Sequence, residues 1–165
     1  MAARRSPQRG SAGGANASIT TADIVGTYAY RFGGYVMLQV RPWWLTGIGK
    51  LKIAAPQENI AKVTGAHRSS IMPIEAQDSP VTPATWTLDG TIEIHKDGTG
   101  TATIVFKSVS KRIGKRTRRL RGEFNVVVPG TDRLWMMSQQ TWLLGNDTYT
   151  ASQELVQVEA VRVPY

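Results

Sequence analysis

Cysteine is missing from this chain, and histidine nearly so, with only His67 and His95. The first absence removes disulfides, zinc–thiolate sites and a cysteine nucleophile, while leaving the compartment open. The second leaves a metal without ligands at usable spacing, because no carboxylate cluster accompanies either histidine. Long hydrophobic runs are missing too; none approaches the roughly 18 residues of a membrane-spanning helix. No G-x-G-x-x-G, Walker-type loop or G-x-S-x-G elbow occurs, and DGTGTATI lacks both the glycines and the strand-to-helix setting of a phosphate loop. Neither a cofactor nor a metal is therefore expected.

Acid is missing from two stretches, which decides how to read the net charge of +8. The first 22 residues hold three arginines, no Asp or Glu, and much Gly, Ala and Ser. They offer too little apolar surface to offset chain entropy, so a disordered tail is expected over 1–22 and one domain over 23–165. Arg4-Arg5 is not followed by the hydrophobic region of an export signal, so a cytoplasmic location is expected. Residues 107–121 hold eight Lys/Arg and no acid; the rest of the chain has nine Lys/Arg against twelve Asp/Glu. The high pI thus belongs to a tail and one hairpin, and the body is slightly acidic.

What is present is the punctuation of an all-β protein. Candidate strands are Val25–Phe32, Tyr35–Val40, Gly47–Ala54, Trp86–His95, Thr101–Val109, Arg118–Val128, Arg133–Leu144 and Tyr149–Arg162. Period-two alternation is clear in several. Trp86, Leu88, Ile92 and Ile94 share a face, as do Leu120, Phe124, Val126 and Val128. Asp97-Gly98, Pro129-Gly130 and Gly145-Asn146 supply turns. Gly33-Gly34 reads as a bulge or bend that swaps the inward face. Between 55 and 83 the pattern fails, with prolines at 56, 73 and 80 and no clear period, which reads as a long irregular excursion over one end. Arg41–Leu45 reads as an aromatic loop that caps the mouth or touches a membrane or partner; capping buries more of its two tryptophans.

So many strands joined by short turns must hide their edges, and closure does so completely. The predicted fold is a single antiparallel up-and-down β-barrel of about eight strands, with a two-sheet sandwich as the alternative.

Three segments, GTYAYRFGGY (Gly26–Tyr35), LDGTIEIHKDGTGTATI (Leu88–Ile104) and GEFNVVVPGTDRLWMM (Gly122–Met137), resemble a bacterial calycin-like family of small β-barrels without assigned function. More distantly the pattern is similar to lipocalins and allene-oxide-cyclase-like barrels. The resemblance implies a barrel that binds or cyclises apolar small molecules. It departs from lipocalins at their G-x-W opening, where Tyr28 follows Gly26-Thr27, and it carries over no catalytic residue.

Aromatic and polar residues placed by alternation among apolar neighbours define the candidate lumen: Tyr28, Tyr30, Phe32, Trp86, Met136, Gln140, Trp142 and Tyr149. Apolar residues on both faces of Arg133–Leu144 mean burial on both sides, or a second face meeting a ligand or partner. The bland account is a packed core; the functional one is an apolar cavity with a few polar handles. The basic candidates, Lys111, Arg112, Lys115, Arg116, Arg118, Arg119 and Arg121, straddle Gly114 at a hairpin apex. With no aromatic or amide side chain among them, they offer polyanion contact by charge, without base readout, or simply keep a long edge soluble. Three functions stay open: binding of an apolar or amphipathic small molecule in the lumen, a cofactor-independent cyclase or isomerase in the same lumen, and binding of RNA or an acidic partner through 107–121.

Overall fold

Alternation puts one set of side chains on one side of each strand, and the chain buries that set by closing the strands into a ring. The computed structural model describes residues 18–38, 41–73, 82–108, 119–145, 148–152 and 154–164; at 36–38, 41, 73, 82, 140–145, 148–152 and 154 the description is of the backbone. The strands are β1 (Gly26–Leu38), β2 (Arg41–Ile53), β3 (Ile60–Pro73), β4 (Thr82–Ile94), β5 (Thr99–Ser108), β6 (Arg119–Gly130), β7 (Arg133–Gly145), β8 (Thr148–Ser152) and β9 (Glu154–Arg162). Each of β1 to β6 pairs antiparallel with its successor. β9 closes the ring between β7 and β1, and β8 extends the same stave beside the second half of β7. This is the closed eight-stave up-and-down barrel that the alternation predicts. Among the described residues helix is confined to one 3₁₀ turn, Thr21–Ile24. Among the described residues no helix is long and apolar enough to cross a membrane.

Three expectations need correction. The irregular excursion at 55–83 contains a full stave, β3, paired along its length with β2 and β4. Its inward positions are Ala61, Val63, Gly65, His67 and Ser69, mostly small or polar, so the hydrophobic period that marks the other staves is faint. Gly33-Gly34 makes no bulge: β1 keeps one register with β2 and with β9 from end to end. Gly34 is needed for close approach instead, because a Cβ there would stand 2.0 Å from the Leu155 carbonyl oxygen. Arg41–Leu45 is also no loop, since β2 begins at Arg41.

The bulge lies on β7. Phe124 pairs with Ser138 and Glu123 with Gln140, which leaves Gln139 as an extra residue, its amide donating to Asn125 Oδ1. On the other edge of β7 the last stave gains a residue at the same level, between Ser152↔Thr141 and Gln157↔Met137. The Val156 N–H there donates to Ser138 Oγ at 2.8 Å, which satisfies a backbone group that the shifted ladder leaves over.

One end of the barrel is plugged from outside the staves. Ile19 bridges to Asp97, and Thr21 and Ile24 are fully buried. Thr21 Oγ1 donates to the Asn59 carbonyl at 2.7 Å and accepts from the Ile94 N–H at 2.9 Å. Arg162 clips the turn down, donating to the Asp23 carbonyl at 2.6 Å and to Tyr28 Oη at 3.1 Å. The packed chain thus reaches back at least to Ile19. The reason is a hydroxyl buried where it completes hydrogen bonds of two strand ends, which composition does not reveal. Thr21→Val keeps the volume and strands the Ile94 N–H. It is expected to destabilise the protein by about 1–3 kcal/mol, read as a lower urea midpoint with an unchanged m-value.

Candidate functional site

The opposite half of the barrel is not filled. A cavity of about 90 Å³ opens there, walled by Leu51, Leu88, Ile104, Phe106, Phe124, Met136, Val156 and Val158, with Leu45 and Leu120 towards the mouth. Its remaining wall holds Tyr30, Phe32, His67, Ser69 and Trp86, and among the described residues no charged side chain lines it.

Register explains how those five meet. Tyr30 pairs with Gly49, Gly49 with His67, and His67 with Trp86, so the four stand in one row across β1, β2, β3 and β4. Paired residues share a face, and this row faces inward. Gly49 is the missing side chain: a Cβ there would lie 2.8 Å from the Tyr30 ring and 2.6 Å from His67 Cβ. With that space free, Tyr30 Oη reaches across β2 to His67 Nδ1 at 2.8 Å. The next inward row repeats the device. Phe32 pairs with Gly47, whose Cβ would meet the Phe32 ring at 2.3 Å, and Gly47 pairs with Ser69. Trp86 Nε1 donates to Ser69 Oγ at 2.9 Å. Rings surround the imidazole, with Phe32 at 4.8 Å, Phe106 at 5.5 Å and Trp86 at 6.3 Å between centroids.

The pair is neutral at ordinary pH. Burial pushes the His67 imidazole down to about 4, and it holds the Tyr30 hydroxyl well above its usual range. The tautomer follows from hydrogen-bond accounting. Tyr30 Oη has no other partner among the described residues, so its proton needs Nδ1 as acceptor, which places the ring proton on Nε2. Nε2 itself has no protein partner among the described residues. His67, Ser69, Tyr30 and Trp86 are thus the side chains with polar atoms among the described residues of an otherwise apolar wall.

Of the residues expected in the lumen, Tyr30, Phe32, Trp86 and Met136 line this cavity. Tyr28 points inward but below it. There its hydroxyl donates to the Ile24 carbonyl at 2.9 Å, and the Arg162 guanidinium sits 5.6 Å from its ring; it belongs to the plug. The side chains of Gln140, Trp142 and Tyr149 lie outside the described part. The backbone pairs Gln140 with Glu123, Trp142 with Arg121 and Tyr149 with Leu144. The extra residue at Gln139 shifts the β6–β7 register between these pairs and Phe124↔Ser138. Lys111, Arg112, Lys115, Arg116 and Arg118 fall outside the described residues, whereas Arg119 and Arg121 stand at the start of β6. His67 and Ser69 were not anticipated. Their signal was Gly47-x-Gly49, two glycines at period two within a strand, which marks a place where side chains from both flanking strands meet. Among the described residues no group of three His, Asp or Glu side chains comes together to hold a metal.

No protein-family model matches the chain, and no curated protein sequence does. Among solved structures it is similar to the S-type phycobiliprotein lyase CPES from Guillardia theta, at 9% identity and a TM-score of 0.38, over 88% of this chain and 91% of that one. At that level the likeness carries nothing about residues, ligand or chemistry.

His67 makes stability pH-dependent in a defined direction. Its folded value, about 4, lies below the roughly 6.5 of an unfolded chain, so on acidification the unfolded state takes up the proton first. Its contribution is complete above pH 6.5 and is lost as pH falls towards 4, by up to about 3 kcal/mol. His67→Gln should flatten that part of the profile. Urea midpoints at pH 7, 5.5 and 4.5 for both proteins check it; parallel profiles would show that the imidazole is not buried as described.

Proposed function

We propose that this barrel binds a small, neutral, largely apolar molecule bearing one oxygen acceptor, with that oxygen on His67 Nε2–H and the apolar part against Leu88, Ile104, Phe106 and Met136. One observation carries the reading: the Tyr30 Oη–His67 Nδ1 contact at 2.8 Å leaves Nε2 without a protein partner among the described residues, beside a cavity whose described lining is mostly apolar. Such a wall with a few convergent polar groups is the usual character of a small-molecule site. Among the described residues of the wall there is no cation, which supports neutral ligands over carboxylates, since these would lose hydration without a counter-charge. Size supports a small ligand. An apolar cavity of about 150 Å³ takes benzene, so 90 Å³ accommodates a head group or short chain, and anything longer extends past Leu45 and Leu120 towards the mouth. Membership of the calycin-like family, on the three segments that resemble it, is part of the same proposal.

A second reading uses the same atoms. A neutral imidazole N–H aimed at a substrate carbonyl polarises it without giving up a full proton, which suits a cofactor-independent isomerase or cyclase. The Tyr30 hydroxyl on the far nitrogen favours it, because it fixes the tautomer that such a step needs.

Trp86, at the cavity wall, is the reporter. Titration of tryptophan emission with a ketone, a carboxylate and a hydrocarbon of matched size is expected to rank them in that order of affinity, with Trp86→Phe silencing the signal. His67→Phe should weaken the ketone about fivefold, the worth of one ordinary hydrogen bond of about 1 kcal/mol, and leave the hydrocarbon unchanged. Equal affinities for all three ligands in both proteins would remove the polar handle from the proposal; no response to any of them would remove the ligand.

A further inference from the structure

The mouth of the barrel has an outer surface unlike the rest of the wall. Leu155 pairs with Tyr35, Tyr35 with Trp44, and Trp44 with Met72, so these four stand in one outward-facing row across β9, β1, β2 and β3. Their exposures are 42%, 41%, 46% and 39%. The next outward row down the wall is Gln157, Gly33, Thr46 and Ser70, and the one below it holds the exposed Arg31–Glu159 ion pair. That lower row also carries Ile48, 69% exposed, so the mouth row stands apart by its four consecutive apolar side chains. A continuous apolar row of this kind marks an interaction surface rather than scattered exposed side chains.

The other side of the same end is basic. β5 ends and β6 begins here, and their last described pair is Lys107↔Arg119, two exposed cations directly opposite each other, with Arg121 next along β6, ion-paired to Glu123. Like charges placed directly opposite destabilise a strand pair, so this arrangement is relieved by an anion.

We propose that the mouth end docks on an anionic lipid surface, with the Leu155–Tyr35–Trp44–Met72 row entering the headgroup boundary and the Lys107, Arg119 side meeting lipid phosphates. Both requirements of reversible membrane attachment, buried apolar area and cationic charge, are met at one level of the barrel. Tyr and Trp are the residues best placed where an apolar layer meets water. The end of a barrel also presents its rim to a plane, which fits a bilayer. The docked orientation would face the lumen towards the bilayer, but the proposal does not depend on the lumen being occupied.

Flotation with vesicles tests it, using phosphatidylcholine alone and with a third phosphatidylglycerol, at low and high salt. Binding is expected to the anionic vesicles, to weaken with salt, and to shift tryptophan emission to the blue, a shift that Trp44→Phe diminishes. Lys107→Gln with Arg119→Gln should weaken binding about 25-fold, roughly fivefold per cation. Tyr35→Ser with Trp44→Ser should reduce it roughly tenfold at every salt concentration. All four side chains are exposed, so thermal melts are expected to match the parent protein, and a matched melt makes a loss of binding interpretable. Failure to bind anionic vesicles at low salt overturns the proposal. So does binding that the apolar double variant leaves untouched, because charge alone then suffices and an RNA or acidic protein becomes the occupant. Concentration-dependent dimerisation abolished by the same apolar variant, without vesicle binding, would assign the row to a second copy of the chain.

Discussion

The seam at β9 is the constraint on which the rest depends. Eight staves make an interior only if the last one finds hydrogen-bond partners on both sides, and Glu154–Arg162 does so, against β1 along most of its length and against the first half of β7. Without that seam the sheet has two open edges and its apolar face meets water. The seam is not free of conflict, since β7 is one residue out of step on both edges. The Ser138 hydroxyl resolves the conflict by accepting the Val156 N–H. Outside, Arg31 and Glu159 face each other across β1 and β9 at 2.6 Å. Exposed as it is, that pair adds little to stability compared with the ladder beneath it.

Closure creates a second constraint, because an eight-stave lumen has about enough room for its own side chains. Space inside it must come from residues that decline to fill it. In the plugged half nothing declines: Ile53, Val63, Ile94, Val126 and Leu134 are all nearly inaccessible, beneath Tyr28 and Ile24. In the other half Gly47 and Gly49 interrupt the inward rows, and the rings of Phe32 and Tyr30 lie over them. The consequence is chemical as well as steric. A tyrosine and a histidine two staves apart become hydrogen-bonded neighbours, and burial holds both neutral. The pair is thus a product of two absent side chains.

The two ends are built for different tasks. Thr21, Arg162 and Tyr28 lock one end with hydrogen bonds to backbone carbonyls of the 3₁₀ turn and the β2–β3 connection. Towards the other end, the cavity is walled by Leu45 and Leu120, and the outer wall changes from polar to apolar on one side and to basic on the other.

Much of the architecture was legible because it rests on local rules. Strict alternation in Trp86–His95, Thr101–Val109 and Arg118–Val128 fixes which side chains go inward, and Asp97-Gly98 and Pro129-Gly130 set the turns between them, so an all-β closed barrel followed. Legibility failed at β3, and for an informative reason. Its inward face is small and polar where it borders the site, and a pattern test looks for the apolar period that this site has displaced. The inserted residue at Gln139 was equally illegible, because a bulge has no compositional mark. Which residues alternate was determined by the sequence alone, since a strand's period is a property of its own backbone. Which residues meet was decided only by the tertiary structure. The partnership of Tyr30 with His67, and the alignment of Leu155, Tyr35, Trp44 and Met72, depend on the register between strands, and closure of the whole ring sets that register.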